Sequence, residues 1–356
     1  MKKIFLFFVA LSLSLATFAQ PANYYDSANG LTGNQLKIAL HNIIKGHTSI
    51  SYSQIWNAYW STDNKGNGVV WDMYSDRPDG TPAYTFYLGQ DQCGSGGYNG
   101  EGDCYNREHS WPQSWFNEQT VPKSDLHHIF PTDGWVNNKR SNYPFGEVRN
   151  AEWTSTNGSK LGTCKTSGYS GKVFEPIDEY KGDFARAIMY MSVRYYGEDS
   201  GWKTSDMTNK SEIKSWAIDM LLRWNELDPV SQKEIDRNNA IYNDYQHNRN
   251  PFVDHPEYAR MIWDPHSSVF EVEETASVYL FPNPIERGQE MHLSGNQWKF
   301  DSVVVCDLCG HVMLKAAGKS QGGFAVTIPV DMPRGCYIVR LMNGNETVKN
   351  LKLMVR

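Results

Sequence analysis

The pattern of apolar residues changes once along this 356-residue chain, at an acidic stretch near residues 267–276. Before it, apolar side chains recur every three or four residues, which is the period of an amphipathic α-helix. The three such stretches are 36–44, 184–195 and 213–224. The residues at 32–35 have the spacing of a capping box before the first, and Gly46 can end it. The pattern therefore predicts a helix-rich domain before the acidic stretch.

After residue 277 the chain holds short runs rich in β-formers, separated by Gly, Asn and Pro. These runs are 302–305, 324–328, 337–341 and 348–354. Such spacing is typical of a small β-sandwich. A chain of this length exceeds one average domain. The sequence thus predicts an α+β chain, with a mixed α/β domain at 20–266, a linker at 267–276 and an all-β domain at 277–356.

The amino terminus has the layout of a secretory signal peptide. Two lysines follow Met1, an apolar run covers residues 4–16, and small side chains occur at Thr17 and Ala19. A membrane anchor is the alternative, but the run is shorter than the ~20 residues that a membrane span needs. We expect residues 1–19 to be removed on export and the mature chain to begin near Gln20.

Charge and cysteine content limit what an exported chain of this kind can do. The formal net charge of −6 argues against a broad basic surface, so any binding of nucleic acid must be local. Six cysteines allow 15 disulfide pairings. Cys93 and Cys104 flank a Gly-rich loop just before the reactive residues, which makes them the favoured pair.

Reactive side chains are densest in two blocks, 106–112 and 125–142. In the first block, the imidazole of His109 is suited to take a proton from water, and the carboxylate of Glu108 is a hard ligand for Mg²⁺ or Ca²⁺. Neighbouring strand residues point to opposite faces, so both serve one site only if the strand ends or bulges there. Pro112 fits a strand that ends.

The second block predicts a short strand at 126–130 and a helix from Gly134, capped by Thr132 or Asp133. Asn137 then lies one turn into the helix, with Arg140 on nearly the same face. An isolated Glu-His pair is more often a solvated surface pair. The histidines at 127 and 128 raise a zinc site as an alternative, but no partner spacing of zinc ligands accompanies them.

The two blocks together resemble the ββα-metal (His-Me finger) core of the bacterial endonuclease I family. The resemblance covers about residues 30–265 and rests on the stretches 106–111, 125–128, 136–142, 174–176, 181–187, 248–252 and 254–256. It implies that Glu108 is the metal carboxylate, His109 the general base and Asn137 the metal-binding amide. The implied cofactor is Mg²⁺, with Ca²⁺ and Mn²⁺ as alternatives. The implied reaction is hydrolysis of DNA to 5′-phosphate products, with RNA as a second substrate.

The family also uses an arginine between its two blocks to steady the phosphate. Here that stretch holds Lys123 but no arginine, so this sequence departs from the family pattern. Arg140 is the first candidate for the phosphate-stabilising and catalytic role, with Lys123 second and Arg107 as a further substrate-binding candidate. A solvated helix residue or a salt-bridge partner is an equally good interpretation of Arg140.

The last 80 residues resemble the C-terminal sorting domain of type IX secretion substrates. The motifs are 281–284, 306–310, 335–339 and the basic terminus at 349–356. The resemblance implies a Gram-negative host, the type IX machinery as a partner, and release to the medium or cell surface. A carbohydrate- or protein-binding module is the alternative. For the whole chain, the other hypotheses are a secreted adhesin without catalysis and a metal-dependent hydrolase of another substrate.

Overall fold

The computed structural model describes residues 20–264, 279–294, 300–307, 310–317, 324–344 and 346–356. The chain divides into two compact units, one up to residue 269 and one from residue 270 onward. The predicted signal peptide and linker lie outside the described residues. No helix in the described ranges is both long and apolar enough to cross a membrane.

Helices supply most of the first unit, and a buried central helix organises them. The helices are α1 (Gly33–Ile44), α2 (Ile55–Thr62), α3 (Thr120–Lys123), α4 (Gly134–Arg140), α5 (Lys181–Arg194), α6 (Ser215–Leu227), α7 (Gln232–Ala240), α8 (Pro251–Asp254) and α9 (Tyr258–Trp263). Residues 182–194 of α5 are all buried, and the helix packs against α1 and α6. A helix that is covered on every side forms the centre of a domain, so α5 is the axis of this core.

Three antiparallel sheets complete the first unit. One pairs β1 (Tyr105–His109) with β2 (Ile129–Asp133). A second contains β3 (Val148–Thr154), β4 (Lys160–Cys164) and β5 (Lys172–Glu175), and the third pairs β6 (Thr208–Asn209) with β7 (Glu212–Ile213). Helix α4 follows β2 directly, so both reactive blocks of the sequence lie in one strand–strand–helix unit.

The predicted helices are confirmed as α1, α5 and α6, with two local differences. Thr32 precedes α1, but its side chain caps no backbone amide, so the capping box predicted there is wrong. A complete capping box instead joins Ser231 and Glu234 at the start of α7. Ile213 belongs to β7, and α6 begins two residues later.

Buried ion pairs connect the helices of this unit. The guanidinium of Arg186 contacts both carboxylate oxygens of Glu234, and Lys233 contacts Asp183 at 2.9 Å. Arg249 binds Asp254 through two nitrogen atoms. Removing one partner of such a pair leaves a buried charge without compensation, which is strongly destabilising. Asp183, Arg186 and Arg249, which belong to the stretches 181–187 and 248–252, are therefore structural.

The second unit is an all-β region with two antiparallel sheets. Its strands are β8 (Tyr279–Phe281), β9 (Glu290–Ser294), β10 (Ser302–Cys306), β11 (Val312–Ala317), β12 (Phe324–Thr327), β13 (Gly335–Asn343) and β14 (Glu346–Val355). The sheet orders are β11-β10-β13-β14 and β12-β9-β8. One apolar core takes side chains from both sheets, including Leu293 and Val339. The four predicted runs lie in strands, and the all-β character of this region is confirmed.

Candidate active site

Glu108 and His109 are the last two residues of β1. The strand pairs with β2 without a register shift, so that Glu108 lies opposite Phe130 and His109 opposite Ile129. The strand ends at His109, and the amide of Ser110 makes one further hydrogen bond in the same register, to the carbonyl of His128 at 3.0 Å. Of the two conditions that would let both side chains serve one site, the strand end is therefore confirmed, and no bulge occurs.

The start of the second block differs from the prediction. Residues Leu126–His128 form a 3-10 turn rather than a strand, because the Asp125 carboxylate accepts the His127 amide at 3.1 Å and caps a turn. Strand β2 therefore begins three residues later than predicted, at Ile129. The predicted helix cap is confirmed: Asp133 accepts the amide of Val136 at 2.8 Å, and α4 begins at Gly134.

Glu108 is only 2% exposed, and its two carboxylate oxygen atoms differ in their hydrogen bonds. Its Oε1 accepts hydrogen bonds from the Tyr74 hydroxyl at 2.9 Å and from Arg140 Nη1 at 2.8 Å. Within the described part of the chain, no group donates to Oε2. Burial raises the pKa of Glu108 to about 7, although the charge of Arg140 opposes that shift. A cation at Oε2 would favour the ionised carboxylate.

Arg140 fixes the end of β1 from the last turn of α4. Its side chain is 1% exposed. Besides Glu108, it donates to the carbonyl of His109 at 2.7 Å, of Ser110 at 2.7 Å and of Tyr143 at 3.0 Å. These contacts favour the salt-bridge interpretation of Arg140 over direct contact with a phosphate. The residue acts on the site by positioning Glu108 and the backbone beside it.

The hydrogen bonds of His109 select one tautomer of its ring. Its Nε2 lies 3.0 Å from the carbonyl oxygen of Lys123, which can only accept, so Nε2 carries the proton. The unprotonated Nδ1 lies 3.2 Å from the amide nitrogen of Gln113. Burial, with the nearby His128, lowers the pKa of His109 well below its usual value. Burial therefore favours the neutral ring, with Nδ1 as its unprotonated nitrogen.

Basic and aromatic side chains lie on the His109 side of β1. Arg107 and His109 share a strand face because they are two residues apart. The Arg107 guanidinium stacks 3.6 Å from the centroid of the Tyr52 ring, and that ring lies 5.8 Å from the His109 ring. Lys123 Nζ lies 5.5 Å from the same Tyr52 centroid. Both substrate-binding candidates thus converge on Tyr52, beside the proposed base.

Asn137 lies on α4 one turn before Arg140, and residues at this spacing share a helix face. Its side chain is partly exposed, and its amide has no hydrogen-bond partner among the residues described. Since Arg140 reaches Glu108 from this face, Asn137 belongs to the helix face that is turned toward Glu108.

His127 and His128 have structural partners on other segments. The Nε2 atoms lie 3.2 Å from the carbonyl of Asn248 and 2.7 Å from that of Pro122, respectively. Burial lowers the pKa of each ring to about 4. Over the described ranges, no three His, Cys, Asp or Glu side chains form a metal-binding group. These contacts give the zinc alternative no support.

Sequence reasoning missed three residues around the site, namely Tyr52, Tyr74 and Gln113. Gln113 follows His109 by four residues and could have been found by examining the polar residues after the first block. The two tyrosines come from distant segments and carry no local signal. The favoured disulfide is confirmed between Cys93 and Cys104. It lies near the start of α4, where the carbonyl of Cys104 accepts the amide of Gly134 at 2.9 Å.

Comparison with known proteins gives a family match and several curated relatives. The family model described as Endonuclease I matches residues 32–257. An extracellular ribonuclease of Bacillus amyloliquefaciens is 40% identical over 251 residues, which are 69% of this chain and 79% of the relative. The extracellular ribonuclease of Bacillus subtilis is 38% identical, over 72% and 83% of the two chains. A periplasmic deoxyribonuclease of Aeromonas hydrophila is 28% identical over 37% of this chain and 48% of the relative.

Proposed function

The chain belongs to the endonuclease I family, and from that premise we propose that it is a secreted, metal-dependent endonuclease. It hydrolyses phosphodiester bonds of DNA and RNA and leaves 5′-phosphate ends. The names of the relatives support both substrates. Those named ribonucleases match at higher identity and coverage than the one named a deoxyribonuclease.

The observation that carries this proposal is the contact between His109 Nε2 and the carbonyl of Lys123. It leaves Nδ1 as the basic nitrogen, at the end of the strand that also presents Glu108. A neutral imidazole held in one tautomer is the arrangement expected of a general base. His109 takes the proton of the attacking water at Nδ1, after the amide of Gln113 gives up that position.

The residues on the Glu108 side fit a single hard divalent cation. Oε2 of Glu108 and the amide oxygen of Asn137 are hard oxygen atoms without partners in the described chain. Two protein ligands suit Mg²⁺, which keeps several waters, and Ca²⁺ or Mn²⁺ would find the same donors. When bound there, the ion would neutralise charge on the phosphate and on the leaving 3′ oxygen. The strand–strand–helix unit would then be a ββα-metal (His-Me finger) motif.

Other residues of the chain hold these groups and receive the substrate. Arg140 keeps the Glu108 carboxylate and the carbonyls of residues 109 and 110 in place. Arg107 and Lys123 add positive charge beside Tyr52, where a phosphate next to His109 would lie. We assign the phosphate-steadying role to this pair, because Arg140 is buried and four of its five N–H donors are used within the chain.

For export, we propose that residues 1–19 are a signal peptide and that residues 277–356 are a type IX sorting domain. The layout of the amino terminus supports the first part. The all-β second unit and its motifs at 281–284 and 335–339 support the second. The protein would be released to the medium or cell surface of a Gram-negative bacterium, with the sorting domain removed.

Incubation of the purified chain with plasmid DNA and with a structured RNA, each with and without EDTA, tests the activity. We expect cleavage of both in Mg²⁺, none in EDTA, and 5′-phosphate ends that accept ligation without kinase treatment. A protein that binds either polymer without cutting it at any divalent cation would instead be the non-catalytic alternative. Products with 3′-phosphate ends would contradict the proposed chemistry.

A further inference from the structure

An open cleft of about 650 Å³ lies in the first unit, and neither the base nor the proposed metal ligands line it. Three segments form its wall. They are Ser114 with Trp115, Ser141 with Asn142 and Tyr143, and Lys203, Thr204, Ser205 and Asp206 with Lys214. Its volume lies in the range of about 300–1,000 Å³ that small-molecule sites have.

The wall of the cleft is tied to the candidate active site on two sides. Ser114 follows Gln113, whose amide contacts Nδ1 of His109 at 3.2 Å. Tyr143 accepts a hydrogen bond at its carbonyl from Arg140 Nε, at 3.0 Å. Segments that contact His109 and Arg140 therefore continue directly into the wall of this cleft.

The cleft carries local positive charge although the chain as a whole carries a formal charge of −6. Lys203 is exposed and forms no ion pair with a described residue. Lys214 Nζ donates to the carbonyl of Ser205 at 2.6 Å, which leaves its charge uncompensated. Asp206 is the acidic residue of the described lining, and it accepts a hydrogen bond from the Tyr169 hydroxyl at 2.9 Å. With two lysines and one carboxylate, the lining keeps a net positive charge, which attracts an anion.

Neutral groups in the same wall suit the other parts of a nucleotide. Ser114, Ser141 and Asn142 have side chains with no hydrogen bond to the described chain, so their donors and acceptors are available. The ring of Tyr143 is partly exposed. Hydroxyl, amide and lysine groups bind phosphate and sugar, and an aromatic ring provides a face on which a base stacks.

We propose that this cleft is a subsite for a nucleotide that flanks the scissile phosphodiester. Lys203 and Lys214 contact its phosphate, and Tyr143 stacks on its base. The proposal rests on the nuclease activity proposed above. It explains how a chain with a net negative charge binds a polyanion, because the required positive charge is concentrated beside the reactive residues.

The test compares a single-stranded 12-mer with bis(p-nitrophenyl) phosphate, a diester that contains no nucleoside. The variant is Lys203→Glu/Lys214→Glu, and the matched control is Lys160→Glu. Lys160 is exposed and lies opposite Glu175 in the β4–β5 register. It is thus at the other end of the sheet from Lys172, whose Nζ lies 5.5 Å from the centroid of the Tyr143 ring. We expect the ratio of kcat/KM for the 12-mer to that for the diester to fall about tenfold in the double variant and to stay unchanged in the control.

Binding provides a second measurement that does not depend on turnover. In the His109→Ala background, the double variant should bind a fluorescent 12-mer about tenfold more weakly. The slope of log affinity against log salt should decrease in magnitude by about 0.7, since the contact with one single-strand phosphate is lost. Tyr143→Leu in the same background should weaken binding of the 12-mer but not of inorganic triphosphate.

The outcomes separate this proposal from the one on which it rests. If the wild-type chain cuts neither nucleic acid, the proposed function fails. If it cuts nucleic acid but the double variant keeps the wild-type ratio, affinity and salt slope, the subsite is wrong. Equal losses for the 12-mer and triphosphate in Tyr143→Leu would reduce the cleft to a simple anion site and would overturn the nucleotide assignment.

Discussion

Nη1 of Arg140 lies 2.8 Å from Oε1 of Glu108, and both side chains are almost completely buried. The ion pair joins the last residue of α4 to the next-to-last residue of β1. A buried pair of this kind contributes little beyond a well-packed apolar replacement, but the loss of one partner is costly. Arg140 therefore has consequences for stability that a phosphate-binding arginine would lack.

Arg140→Met should lower the free energy of unfolding by about 3–5 kcal/mol, because Glu108 then remains buried without its counter-charge and keeps only the hydrogen bond from Tyr74. Urea denaturation measures the change. Arg149→Met is the matched control on the exposed strand β3, with an expected change within about 0.5 kcal/mol. The double variant Arg140→Met/Glu108→Gln should recover part of the loss. Wild-type stability combined with a raised KM in Arg140→Met would restore the phosphate-binding interpretation.

His109→Ala should reduce cleavage by about 10²–10⁴-fold, because the proton acceptor for the attacking water is lost. Affinity for a 12-mer and the circular dichroism spectrum should stay near those of the wild type. His247→Ala removes an exposed histidine and serves as the control. Cleavage by His109→Ala at the wild-type rate would eliminate this residue as the base.

Glu108→Gln and Asn137→Ala should each raise the Mg²⁺ concentration needed for half-maximal activity by at least roughly tenfold. The first removes the charge and keeps the shape, and the second removes an oxygen ligand. His128→Ala is the comparison, and it should leave this requirement unchanged because its Nε2 contacts the Pro122 carbonyl. Calorimetric titration of the metal into each variant gives an independent value. A large shift in His128→Ala alone would move the metal to other ligands.

The free energy of unfolding should decrease in acid because of His128. Burial lowers the pKa of this ring from 6.5 to about 4. The unfolded chain binds this proton first as the pH falls, so the histidine makes the fold less stable between pH 6.5 and pH 4. His128→Gln removes the titration and retains a donor toward Pro122. The stability difference between wild type and variant should change by about 3 kcal/mol across that window, to the disadvantage of the wild type. A constant difference would contradict the buried neutral ring.

Export should leave a shortened chain outside the cell. Mass spectrometry of protein from culture fluid or the cell surface should find an amino terminus near Gln20 and should lack most residues after about Ser277. Protein retained in the cell pellet of the same culture provides the unprocessed reference. An extracellular chain that still ends at Arg356 would argue against processing of a sorting domain.

The sequence predicted those elements whose signal is local. The stripe at 184–195 gave α5, Asp133 gave the start of α4, and Pro112 indicated the end of β1. Each depends on residues within one or two turns of each other. The order of the two reactive blocks was then enough to place Glu108 and Asn137 on one strand–strand–helix unit.

The rest depended on contacts between distant segments or on competing local bonds. Tyr74 binds Glu108 from 34 residues away, and nothing in its neighbourhood indicates that contact. A turn forms at 126–128 in place of the predicted strand, because the Asp125 carboxylate accepts the backbone amide of His127. This local hydrogen bond competes with the pairing that a strand would need. The burial of Arg140 could not be predicted from the sequence either, because its position in the helix fits a solvated residue equally well.

The end of β1 has a consequence for what the proposed site can recognise. Glu108 is 2% exposed and His109 5% exposed, at the end of the strand that carries both. Side chains with so little exposed surface offer few atoms for contact with a base, and the proposed chemistry needs only a tetrahedral group that projects from a chain. In a polynucleotide that group is the phosphate, which is the same at every step. At the point of cleavage, such a site would contact the sugar–phosphate backbone and would not distinguish one base from another.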